Sequence, residues 1–243
     1  MRRFSCDLHI HSTLSPCGSL DMSPKNIVQK AYEEGLHIIA ITDHNMTENS
    51  FYARELGKKH DITVLSGMEL QTLEEIHLLA IFDEYEVALD FQKKIYDLLP
   101  DVHNDIDFYG DQIVVDTKDE IIRSEERLLL NSAQISIDNA VNLIKSMGGI
   151  AIPSHIDSAT FSIISQLGFV PDNIPFDALE VRHLEKASDL LPLIMLKNVP
   201  FVSFSDAHYV ADIGRRKIIL NMDEPNCLEI AKALRILGTE RYG

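Results

Sequence analysis

Near its start the chain reads Asp7-Leu8-His9-Ile10-His11-Ser12, the end of a strand in which Phe4, Cys6, Leu8 and Ile10 alternate with Asp7, His9 and His11. A period of two sets both imidazoles on one face of rigid backbone. Two neighbouring histidines make a poor core and a good half of a nitrogen-ligand metal site. The competing reading of this stretch alone is a pair of surface histidines on an edge strand.

The segments that follow repeat a strand-then-helix order. Ser23 and Pro24 suit the first positions of a helix carrying Ile27, Val28 and Ala31 up to Gly35. His37 to Ile41 reads as a strand ending in Thr42-Asp43-His44, Glu48 to Lys59 as a helix, and Ile62 to Leu65 as a strand entering Gly67-Met68-Glu69. Ile76 to Phe82 carries His77 near its start, and Tyr85 to Leu99 has helical periodicity. Ser136 is placed to cap a helix through Met147, after which Ile150 to Pro153 runs into Ser154-His155. Ala178 to Val181, a helix about Leu190 to Leu196, and Val199 to Phe204 lead to Ser205-Asp206-Ala207-His208, and Cys227 to Leu237 closes the chain as a helix. This alternation predicts an α/β fold with a mainly parallel sheet, in one domain over residues 1–243. From about 101 to 127 the chain turns acidic and loses periodicity, apart from apolar runs at 112–115 and 120–122. A hairpin insertion or a flexible lid satisfies that pattern.

His9, His11, Asp43, His44, Glu69, His155, Asp206 and His208 all fall at or just beyond the C-terminal ends of predicted strands. In α/β sheets and barrels that edge is where ligands bind. His37, His60, His103 and His183 lie outside the pattern, so histidine here is not functional by default. Asp43 reads either as a ligand or as a hydrogen-bonding partner that orients His44.

These motifs, in this order and with His77, resemble those of the PHP (polymerase and histidinol phosphatase) superfamily, over residues 7 to 208. The resemblance implies a distorted (β/α)7 barrel with two or three divalent metal ions, zinc, manganese or iron, at the C-terminal end of its strands. By matching motifs, one metal takes His9, His11, Glu69 and Asp206, and a second shares Glu69 and takes His77 and His155. A third uses His44 and His208, and its remaining ligand position falls at Cys17 or is missing. The region after residue 101 is also similar to stand-alone bacterial PHP phosphoesterases. The implied activity is hydrolysis of a small phosphate ester, monoester or nucleotide-type diester, by metal-activated water. His44 or His208 would protonate the leaving oxygen if the third metal is absent. Arg182, Lys186, Arg215 and Arg216 follow strands closely enough to reach the rim, though solvated charge is the ordinary role of each. The alternatives are an amidohydrolase-like metal hydrolase and a non-catalytic metal-binding or regulatory domain.

The formal net charge of −16 repels polyanions, so the expected partner is a small phosphorylated molecule, with long nucleic acid and membrane surfaces disfavoured. Cys6, Cys17 and Cys227 are odd in number and widely spaced, which argues against a disulfide framework. Without an apolar leader or span, the expected location is the cytoplasm.

Overall fold

A computed structural model describes residues 1–242, with side chains described through residue 239. Strand β1 (Arg2–Ile10) leads through a loop to helix α1 (Pro24–Glu33), then β2 (Ile38–Ile41), α2 (Glu48–Gly57), β3 (Thr63–Gln71), β4 (His77–Phe82) and α3 (Tyr85–Leu98). The insertion contributes a short helix α4 (Ile106–Tyr109) and a hairpin of β5 (Ile113–Val115) with β6 (Ile121–Ser124). Helix α5 (Ile137–Ser146), β7 (Ile150–Pro153), α6 (Ile163–Leu167), β8 (Leu179–Glu180), β9 (Phe201–Val202), β10 (Ile218–Met222) and α7 (Cys227–Tyr242) complete the chain. Helix α1 forms as its composition dictates. The Ser23 hydroxyl accepts from Asn26 N–H, Pro24 needs no donor partner, and Ile27, Val28 and Ala31 bury one face. In α5 the expected Ser136 cap is not made. The Ser136 hydroxyl donates to Asp138, and the free Ile137 N–H is taken by the Glu74 carboxylate at 3.1 Å.

The principal sheet has the order β10-β1-β2-β3-β4-β7. Only β1–β2 and β2–β3 pair in parallel, whereas β1–β10, β3–β4 and β4–β7 are antiparallel, so the expectation of a mainly parallel sheet is corrected. The cause is local. Strand β3 runs on to Gln71 and turns straight back into β4, with no helix to carry the chain round for a parallel return. The sheet curls toward a ring through β8 and β9. Asp177 N–H donates to Ala151 O and Ile156 N–H to Glu180 O on one side, and Ala207 exchanges hydrogen bonds with His9 and His11 on the other. Strand β10 went unread in the sequence because it lies beyond the last polar motif. It pairs with Arg2–Cys6, leaving the second half of β1 for Ala207. The run expected as a helix about Leu190 to Leu196 is instead a 3-10 segment, Leu184–Leu193, that contains Pro192.

Phe4, Cys6, Leu8, Ile38, Leu79 and Ile152 meet inside the curl, which Ile230 and Leu234 of α7 plug from below. Ile10 instead joins an outer core with Ile27, Val28 and Ile39. The switch from Leu8 inside to Ile10 outside is a register irregularity between Asp7 and Ile10. Such a bulge re-aims side chains, and here it turns His9 and His11 into the mouth above Leu8. Asp7 faces away and accepts from Ser205 N–H and Gly214 N–H, while burial first pushes its carboxyl up to about 6.

The insertion is a folded hairpin joined to the loop after β1. Ile113 N–H donates to Thr13 O at 2.8 Å, the Arg123 guanidinium pairs with Glu48, and Gly110 sits against Pro16 with φ +100°. A Cβ at residue 110 would stand 2.4 Å from the Pro16 carbonyl oxygen. Gly110→Ala is therefore expected to cost about 1–3 kcal/mol of stability, read as a lower urea midpoint; an unchanged midpoint would show that the junction tolerates a side chain.

Candidate metal centre

Glu69, near the end of β3, is buried with imidazoles on both carboxylate oxygens. Oε1 faces His9 Nε2 at 3.3 Å, His77 Nδ1 at 3.2 Å and His155 Nε2 at 3.3 Å. Oε2 faces His11 Nε2 at 3.4 Å and His44 Nδ1 at 3.3 Å. Asp206 Oδ1 lies 3.5 Å from His9 Nε2 and 3.6 Å from both His11 Nε2 and His208 Nδ1. Asp206 and His155 hold φ of +50° and +30°, a strained backbone of the kind found where side chains are aimed for function.

Three groups of donors converge closely enough to hold a metal ion: His9, His11 and Asp206; His44, Glu69 and His77; and His11, His44 and His208. His9 Nε2 and His11 Nε2 are 3.2 Å apart. With Asp206 Oδ1 they are spaced as ligands sharing one ion at bonds of roughly 2.0–2.2 Å. His44 Nδ1, His155 Nδ1 and Glu69 Oε1 are buried without a hydrogen-bond partner, and for His44 Nδ1 and Glu69 Oε1 a cation held by the cluster would supply one. The donor set of nitrogen and carboxylate oxygen suits zinc, manganese or iron alike.

Partners behind the imidazoles fix which nitrogen is free. His9 Nδ1 meets both Glu180 oxygens at 2.9 and 3.1 Å, leaving Nε2 for the cluster. His11 Nδ1 donates to Ser15 Oγ at 2.9 Å, because that hydroxyl spends its own proton on Asp43 at 2.7 Å. His77 Nε2 donates to Gln71 Oε1 and His208 Nδ1 to the Asp206 carbonyl, at 3.1 and 3.0 Å. Such partners set tautomer and orientation for metal binding. Asp43 thus orients the His11 side of the site, gathering Ser12 N–H, Ser12 Oγ and Ser15 Oγ, and is not itself a ligand in the three groups.

Sequence reading missed Glu180. Besides holding His9 it accepts His155 N–H at 3.2 Å, so one carboxylate joins two of the converging histidines, one from β1 and one from the segment after β7. The available signal was a single acid in the apolar run Ala178 to Val181. Cys17 is exposed and enters none of the three groups. Arg215 and Arg216 brace the loop carrying Asp206 through Ser205 O and Phe204 O. Arg182 does reach the site. It lies 3.5 Å from Asp206 Oδ2 and lines a cavity of about 130 Å³ with Glu69, His77, His155, Phe161 and His208. Among the described residues His37, His60, His103 and His183 take no part in the groups.

Burial opposes charge on His9 and His11, yet Glu180, Glu69 and Asp206 overcome it. His9 is raised well above its usual range and His11 to about 9. Burial lowers His208 to about 4 and His44 well below its ordinary value, so both imidazoles are neutral at pH 7. Against the cost of burial, His77 and His9 hold Glu69 ionised.

A PHP domain family model matches residues 7–167. The chain belongs to the PHP domain family. An uncharacterized protein of Methanocaldococcus jannaschii is 33% identical over 76 residues, 28% of this chain and 44% of that protein. A phosphoribosyl 1,2-cyclic phosphate 1,2-diphosphodiesterase of Eggerthella lenta is 31% identical over 80 residues, 31% of this chain and 29% of that enzyme. The matches thus span less than half the length of these relatives. In structure the chain is similar to the lesion-specific endonuclease EndoQ of Pyrococcus furiosus (TM-score 0.70, 18% identity, 97% of this chain and 56% of that one). It is also similar to a two-domain protein of Bacteroides vulgatus containing a predicted PHP-like metal-dependent phosphoesterase (TM-score 0.55, 20% identity, 97% and 63%). These likenesses establish the fold.

They also correct one expectation. An endonuclease Q complex of the same fold (TM-score 0.65, 17% identity, 97% and 57% of the two chains) carries a 27-mer duplex with an abasic lesion at its active site. Long nucleic acid is therefore not excluded as a partner. Net charge sums the whole surface, whereas a substrate meets the local field, which bound cations invert. For the membrane, no helix among the described residues is long and apolar enough to cross one.

Two tests follow from this geometry. Glu180→Ala is expected to weaken metal affinity about 10- to 100-fold, measured by competition with a chromogenic chelator; unaltered affinity would remove Glu180 from the site. Because His11 is protonated below about 9, zinc loading at pH 7 should release protons into a weak buffer, and affinity should fall as pH drops. Loading without proton release would contradict the assigned ligands.

Proposed function

We propose that this chain hydrolyses a phosphate ester with water activated at a cluster of two or three divalent metal ions. The observation that carries the reading is Glu69, whose two oxygens divide five imidazoles between them. Bound there, divalent cations would supply Lewis acidity toward a phosphoryl oxygen and a nucleophilic water at neutral pH. In the ligand sets favoured here, His9, His11 and Asp206 hold one ion, and Glu69, His44, His77 and His155 serve a second. His208, with His11 and His44 beside it, offers a third position.

The remaining work falls to other side chains. Glu180 and Ser15 keep the lone pairs of His9 and His11 directed at the cluster. Arg182, with 44% of its side chain exposed beside Asp206, is placed to donate to a phosphoryl oxygen and hold the phosphorus near the ions. No side-chain nucleophile is required. His44 and His208, which lie in groups of donors that could hold an ion and are kept neutral by burial, are read as ligands, with solvent supplying the leaving oxygen's proton. Relatives that include a cyclic-phosphate diphosphodiesterase favour a diester, and the same fold in EndoQ leaves the length of the substrate open.

Purified protein given manganese or zinc is expected to turn over an aryl phosphate or its diester, and to lose that turnover on chelation. Glu69→Gln should reduce it to background. Arg182→Ala should retain metal and lose roughly ten- to a hundredfold in kcat/KM, the worth of a hydrogen bond to a charged group. Metal-loaded protein inert toward both ester classes would favour the non-catalytic alternative.

A further inference from the structure

Phe161 is anomalous among the apolar residues. Its backbone holds φ +55°, a conformation that a bulky side chain adopts only when its surroundings impose it. The Phe161 carbonyl accepts from His77 N–H at 2.9 Å, and its ring lies flat on the His77 imidazole, centroids 4.8 Å apart and planes within 8°. The loop beneath is braced by Ser158 N–H to His155 O and by Ser162 Oγ to Ser158 O, each 2.7 Å. Yet the residue stays 38% exposed, joins none of the three apolar cores, and lines the cavity of Glu69 and Arg182. One ring face covers His77, so the exposed part is its outer face and edge. A rigid aromatic surface is thus offered to whatever enters the cavity.

We propose that Phe161 is a specificity-determining residue, a platform on which a planar heteroaromatic group of the ester, a nucleobase, stacks while the phosphate sits at the ligand cluster. The proposal rests on the phosphoesterase reading above. His77 Nδ1 is 3.2 Å from Glu69 Oε1, so the platform stands one ring away from the cluster. In a nucleotide the base stands one sugar away from its phosphate, a separation of the same scale. Stacking of a base on an aromatic side chain tolerates any base and is worth about ten- to a hundredfold in affinity. The rival role is a buttress that holds His77 in place, for which apolar volume without a flat ring suffices.

The test compares two probes on metal-loaded full-length protein, adenosine 5′-phosphorothioate and ribose 5-phosphorothioate, by calorimetry. Wild-type protein is expected to bind the nucleotide about ten- to a hundredfold more tightly. Phe161→Leu keeps apolar volume against His77 and removes the ring; it should bring the ratio near one without changing metal content or the affinity for the sugar phosphorothioate. Phe161→Trp should keep the preference. An equal affinity for both probes in the wild type, or a preference that survives in Phe161→Leu, overturns the platform. So does loss of metal together with loss of affinity for both probes in Phe161→Leu, which marks a buttress. Nucleotide preference in a protein that hydrolyses no ester would uphold the platform and sink the reaction; turnover without preference would do the reverse.

Discussion

A buried carboxylate is costly unless charge or hydrogen bonds compensate it, and Glu69 is buried at the centre of five imidazoles. The rest of the site answers that cost. His9 and His11, raised toward the charged form, provide two positive charges, whereas Glu69, Asp206 and Glu180 bring three carboxylates to the same volume. The balance favours cations. An ion bound there would displace the protons of His9 and His11 and supply positive charge to the same carboxylates.

Holding imidazoles this closely demands a second layer of contacts. His9 relies on Glu180, His11 on Ser15 and Asp43, His77 on Gln71, and His208 on the backbone of Asp206. These partners come from the loop after β1, the end of β2, β3 and β8, so the site is stable only when the curled sheet is complete. The irregularity between Asp7 and Ile10 serves the same end. It lets β1 pack Leu8 against the interior and still present His9 and His11 at the mouth, at the cost of a regular ladder with β2.

Most of the residues that converge on Glu69 were legible because chemistry and topology coincide in them. His9, Glu69, His155 and Asp206 are polar residues at the abrupt ends of apolar runs, which is both a strand signal and a site signal. Glu180 shares that chemistry but sits alone in a run of four residues, with no neighbour to form a motif, and its role exists only across the curled sheet. The bulge in β1 left no composition signal, and a strict period of two grouped Asp7 with His9 when the backbone parts them. Antiparallel β4 was invisible for a related reason. Apolar runs report burial, not direction, and only the tight turn at Thr72-Leu73-Glu74-Glu75 sets it. The hairpin of the insertion was readable because its turn residues Asp116 to Asp119 are polar between two apolar runs.

The failed inference from charge has a physical lesson specific to this architecture. The −16 total is spread over a surface whose lysines and arginines are largely paired locally, as Lys30 is with Glu34 and Lys145 with Asp177. An approaching phosphate is steered by the sum at long range, a contribution that physiological salt screens within about 8 Å. Inside that distance the deciding charges would be ions bound at the cluster, together with the guanidiniums of Arg182 and Arg216 near Asp206. A site that carries its own cations is thus decoupled from the acidity of its protein. Substrate length is then decided by the loops bordering the mouth, where the segment after β1, the 155–162 loop with Phe161 and the insertion at 101–127 differ in sequence character from the ligand-bearing strands.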